Sequence, residues 1–173
     1  MNEVREIVTK AVVAKGKKAM HITHVIETSV HPYSILGCWI INSEFEATKN
    51  LDVVDIDGTF EVNIWYSCLE NTKTDVLRET VSYHKDIKTK RIVKSYIDNN
   101  VDVLAKVLKH PTVIRAKIDE DKIILEIEFE ILAEIIGETK IQVTVFNPIN
   151  NEEEDIEDLD IEVNENFLNL KKE

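Results

Sequence analysis

The stretch IILEIEFEILAEI, Ile123–Ile135, decides the fold. Its odd positions are Ile123, Leu125, Ile127, Phe129, Ile131, Ala133 and Ile135. Between them stand Glu126, Glu128, Glu130 and Glu134. Successive side chains of a strand point to opposite faces, so the apolar set lines a core and the glutamates form one outer row. A helix would scatter the same glutamates around its circumference. Like-charge repulsion along such a row is also expected to discourage unwanted sheet stacking.

The same period recurs outward from this stretch. In Ile56–Tyr66 the inward set is Ile56, Gly58, Phe60, Val62, Ile64 and Tyr66, opposed by Asp57, Thr59, Glu61, Asn63 and Trp65. Trp39, Ile41, Phe45 and Ala47 alternate with Asn42, Glu44 and Glu46. Leu77, Val81 and Tyr83 share a parity that Glu79 breaks. Ile114, Ala116 and Ile118 oppose Arg115 and Lys117, and Ile141, Val143 and Val145 oppose Gln142 and Thr144. Short connections separate these runs: Asn71-Thr72, Asp119-Glu120-Asp121, and Gly137-Glu138, where a glycine is free to take positive φ. Strands joined by tight turns predict a mainly β chain, an antiparallel β-sandwich or barrel-like domain. Val4, Ile7, Val8, Ala11 and Val12 fit a short N-terminal helix stopped at Gly16, and equally a strand from about Thr9. Tyr96–Leu108 has mixed periodicity, and Pro111 interrupts the pattern beyond it.

The 173 residues suit one such domain, residues 1–150, followed by an acidic tail, residues 151–173. The chain carries a net charge of −12, with 43% hydrophobic and 31% charged residues. Such a balance makes nucleic acid and anionic membrane poor partners. From Asn151 to Glu173 there are 10 acidic residues and 2 basic ones. The first 20 residues lean the other way, with Arg5, Lys10, Lys15, Lys17 and Lys18 against Glu3 and Glu6. The basic start and acidic end of neighbouring copies are able to meet. The tail scatters Ile156, Leu159, Ile161 and Phe167 among carboxylates, too few apolar groups to order it alone, so it is expected to be mobile and to fold on a partner. Glu152, Glu153, Glu154 and Asp155, with Ile156, Leu159, Ile161 and Phe167, form a candidate docking segment for basic partners. A competing expectation is that Phe167–Leu170 packs back onto the body.

Catalytic chemistry is hard to find. The two cysteines, Cys38 and Cys68, make no framework or C-x-x-C pair. His21 and His24 face opposite ways in a strand and share no metal there. Cys68 with His84 has no local support as a nucleophile pair. No G-x-S-x-G, P-loop or G-x-G-x-x-G occurs. Paired-carboxylate catalysis needs a cleft and two environments, which one strand face does not provide. No cofactor and no metal are expected. The opening MNEVREIVTK has no apolar run of the signal-peptide kind, and no run is long enough to span a bilayer, so synthesis in a cytoplasm without membrane insertion is expected. Trp65, beside Glu61 and Asn63 on a polar strand face, is the candidate contact anchor. The alternative is that the N-terminal segment covers it within one subunit.

Several ordered blocks carry a family resemblance. REIVTKAVVAKGKK at Arg5–Lys18, SILGCWIIN at Ser34–Asn42, Gly58 through NIWYS to NTKT at Asn71–Thr74, AKVLKHP at Ala105–Pro111 and LAEIIGETK at Leu132–Lys140 resemble the CotE family, as does the acidic ending. The likeness runs nearly the whole length in order. It implies a non-catalytic morphogenetic protein of the endospore coat. Such a protein would be made in the mother cell, self-associate around the forespore and recruit or anchor outer-coat proteins. Its placement would depend on a basement layer built by an ATPase resembling SpoIVA. The chain departs from the family at Cys38, where a second glycine is common, and in a shorter tail without tryptophan, so its clients are open to difference. Two other function classes remain: a β-barrel module enclosing a small ligand, which predicts an apolar cavity, and a hydrolase, which predicts a perturbed acid–base pair in a cleft.

Overall fold

The structure, a computed structural model, describes residues 3–94 and 97–146. The chain divides into a main unit, residues 6–142, and a small one, residues 1–5 and 143–173. Of the small unit only 3–5 and 143–146 are described, and there Arg5 pairs with Glu3 at 2.9 Å. The tail expectations on residues 151–173 fall outside the described residues.

Seven strands occur among the described residues: β1 (Glu3–Glu27), β2 (Pro32–Asn50), β3 (Val53–Cys68), β4 (Lys73–Lys88), β5 (Lys90–Arg91), β6 (Ile97–Asp119) and β7 (Lys122–Val145). They form two antiparallel sheets, ordered β5-β1-β7-β6 and β2-β3-β4, and not a closed barrel. Six of them run 16–25 residues, far beyond the usual length of about 3–10. The N-terminal segment takes the strand alternative and not the helical one, from Glu3 onward.

β7 explains why the fold forms. Its odd residues from Ile123 to Ile135 are all buried, and its even residues are only partly so. The facing sheet answers with Val54, Ile56, Phe60, Val62, Ile64 and Tyr66 of β3 and Val81, Tyr83 and Ile87 of β4. Three rings join the layers: Phe129 lies 4.8 Å from Tyr83 and 6.4 Å from Phe60, centroid to centroid. The parity break at Glu79 has a cause. Its carboxylate meets His24 Nε2 of β1 at 3.1 Å, where β4 runs close to the other sheet.

Turn chemistry holds at two of the three predicted places. Glu120, at φ 54°, sits in a two-residue turn closed by the Asp119–Lys122 pair. Leu69, Glu70 and Asn71 turn with positive φ after β3. Gly137-Glu138 is not a turn: β7 continues through it to Val145. Gly137 keeps the inward parity of Ile135 and Thr139, so no reversal is required there. β6 runs through Pro111 with register shifts around it, which an edge strand tolerates because one side of its backbone has no ladder to lose. One of its shifts lies between Val113 and Arg115, and Ile114 is consequently exposed and not inward.

Candidate assembly surface

The outer face of the β2-β3-β4 sheet holds the predicted anchor. Trp65 is 45% exposed, and its register neighbours are Gly37 on β2 and Val76 on β4. It is one of the exposed large apolar side chains of this face. Two rows of β3 separate its neighbours: Asn63 pairs with Trp39, and Glu61 pairs with Ile41. Trp39 is 44% exposed, Ile41 42% and Val76 46%. A Cβ on Gly37 would lie 3.4 Å from the Trp39 ring, in ordinary contact, so this indole leans along β2 beside the glycine that faces Trp65. Trp39, Ile41, Trp65 and Val76 therefore share one outer face as an apolar patch.

Half of that patch contradicts the parity expected of β2. Trp39 and Ile41 do not share a face with Phe45 and Ala47. One extra residue enters β2 between Ile41 and Glu44, opposite only two steps of β3, and Asn42 adopts φ 51°. This bulge turns the strand over, sending Phe45 and Ala47 inward and Trp39 and Ile41 outward. Asn63 also differs from a free contact residue. It is 3% exposed, and its Nδ2 donates to Glu61 Oε1 at 2.9 Å. Of the three predicted interface residues, Trp65 is presented outward, Glu61 is partly exposed and Asn63 is buried between them.

Beyond the patch the same face turns acidic. Glu44, Glu46 and Asp57 border an open depression of about 470 Å³ that also includes Thr59 and Ser82. His84 Nδ1 lies 2.7 Å from Asp57, and this hydrogen bond, then the charge of Asp57, raises the His84 pKa above its ordinary value. The predicted chemistry-bearing pairs do not assemble. Cys68 is buried on the inner face, whereas His84 is exposed on the outer one. The Cys38 thiol is pushed up to about 11 by burial, opposite to the depressed value an activated thiolate needs. His21 faces Glu128 and His24 faces Glu79. No group of three or more His, Cys, Asp or Glu among the described residues is placed to hold a metal ion.

The other outer face carries the glutamate row, and it is not a bare acidic stripe. Lys17 of β1 lies 3.4 Å from Glu130, Lys109 of β6 3.1 Å from Glu128, and Arg115 3.7 Å from Glu126. Cations on both flanking strands offset the repulsion expected from the row alone.

A family model described as outer spore coat protein E (CotE) matches residues 3–173. The chain belongs to the CotE family. Neither the curated proteins nor the solved structures gave a match. Membership makes this an outer spore coat protein of a structural family. The five blocks that resemble CotE lie within the matched span, and the Trp39 and Trp65 blocks both contribute to the apolar patch.

Proposed function

We propose that this CotE-family chain is a non-catalytic scaffold that self-associates around the forespore and holds outer-coat proteins in place. The observation that carries the reading is the apolar patch of Trp39, Ile41, Trp65 and Val76 on the outside of a sheet. Large aromatics exposed together on a strand face are the residues that dominate contacts between proteins. Edge pairing is the weaker route. β2 and β6, at the edges of their two sheets, run near each other, and both carry register shifts that interrupt a continuous ladder. A ligand-enclosing barrel has less support, because Phe60, Tyr83 and Phe129 fill the space between the sheets.

Light scattering of the purified chain across a concentration series tests the scaffold. Mass is expected to grow with concentration, and a strict monomer at high concentration would refute self-association. The coat's basement-layer protein, resembling SpoIVA, is the proposed partner for placement, after synthesis in the mother-cell cytoplasm. The acidic segment, with Glu152, Glu153, Glu154 and Asp155 followed by Ile156, Leu159, Ile161 and Phe167, is proposed to dock basic outer-coat proteins. Deleting 151–173 is expected to reduce capture of those proteins from a coat extract and to leave the thermal midpoint unchanged. A large drop in midpoint would assign the segment to the core instead.

A further inference from the structure

The chain brings its own cations together in one place. β5 pairs with β1 so that Lys15 stands opposite Lys90 and Ala14 opposite Arg91. Like charges directly opposed across a strand pair are unfavourable. The approach that creates this pair depends on Gly16: a Cβ there would lie 2.1 Å from the Lys88 carbonyl oxygen. Only a residue without a side chain lets the end of β4 cross β1 so closely. Lys15, Lys17, Lys18, Lys88, Lys90 and Arg91 are thereby gathered around one crossing. A shallow cleft of about 240 Å³ opens among Lys17, Lys18, Asp86 and Lys88.

Two carboxylates engage lysines of the cluster. Asp86 engages Lys18 at 3.3 Å, and Glu130 engages Lys17 at 3.4 Å. Lys15 and Lys90 form no ion pair among the described residues, and Lys88 interacts with Asp86 through charge without a close ion pair. The strongest anionic feature of the chain is residues 151–173, with 10 acidic and 2 basic residues.

We infer that the basic crossing of β1, β4 and β5 is a docking site for the acidic segment 151–173 of a neighbouring copy. Carboxylates of Glu152–Asp155 would sit among Lys15, Lys88 and Lys90 and relieve the opposed lysines. A contact between two different surfaces of one chain is heterologous. It adds subunits without closing on itself unless the rotation completes a ring. The inference rests on the scaffold reading and names a second contact for it, separate from the tryptophan patch.

The test uses a dye-labelled synthetic peptide of residues 151–173 and the full chain, read by fluorescence anisotropy. Binding is expected at low salt and to weaken as salt rises, because screening shortens the reach of charge to about 8 Å at physiological ionic strength. Lys15→Glu/Lys88→Glu/Lys90→Glu is expected to bind about tenfold more weakly or worse. Arg at the same three positions is expected to keep binding, and a peptide with Lys at 152–155 is expected to favour the Glu variant. Equal binding to the wild type and the Glu variant, with both folded by circular dichroism, would overturn the site. A chain that assembles by light scattering but ignores the peptide overturns this contact and leaves the scaffold reading standing. A chain that binds the peptide yet stays monomeric overturns the scaffold reading and the neighbouring-copy contact together.

Discussion

Phe129→Ala is expected to destabilise the fold by about 3–5 kcal/mol, the usual cost of emptying a buried aromatic site. Phe129 is 1% exposed and comes from the middle of β7. Its ring touches Tyr83 and Phe60 of the opposite sheet, so truncation removes the contact that joins the layers. Strand backbones on either side are held by long ladders and cannot collapse far into the space left behind. A domain stabilised by about 5–15 kcal/mol loses a large share of its margin. Urea unfolding followed by tryptophan fluorescence would read the shift, with Phe129→Leu as the milder control. A loss under about 1 kcal/mol would show that the aromatic junction is not where the sheets are fastened.

The same residue shows why part of this fold is legible in the amino-acid sequence. Phe129 lies in an alternation with no bulge from Ile123 to Ile135, so parity alone assigns each side chain its face. β3 behaves in the same way from Ile56 to Tyr66. Parity fails where backbone geometry changes by one residue, and composition does not announce it. Asn42 is the decisive case. Its identity was a weak signal of the left-handed φ, since asparagine tolerates that region better than most residues. Gly137 misled in the opposite direction, because a glycine that permits a turn does not require one. The N-terminal segment was ambiguous because Val4, Ile7 and Val8 are exposed, and no buried stripe fixes a period. For the surface, the outward placement of Trp65 was legible from its polar strand neighbours. Its partners Trp39 and Ile41 were hidden by the bulge, and the lysine crossing by a pairing between residues far apart in sequence.

The bulge also sets the second large effect. Trp39→Ala and Trp65→Ala are each expected to weaken self-association by about 2 kcal/mol or more, as interface anchors do. That is a shift of about thirtyfold in the concentration needed for half-assembly, since each 1.4 kcal/mol is tenfold. The fold is expected to survive, because both indoles stand on the outer face and neither belongs to the buried core. They stand on adjacent register rows of the same face, so one partner surface would cover both and their effects are expected to be non-additive. Asn63→Ala gives a contrasting result. It leaves the indoles in place but removes the hydrogen bond to Glu61, so its cost falls on stability more than on assembly. Analytical ultracentrifugation with parallel thermal melts separates the cases. If Trp39→Ala and Trp65→Ala lower the melting midpoint as strongly as Phe129→Ala while assembly of the folded fraction is unchanged, the patch is a structural cover within one chain. If both variants melt normally and sediment as smaller species, the outer face of the β2-β3-β4 sheet is where copies of this coat protein meet.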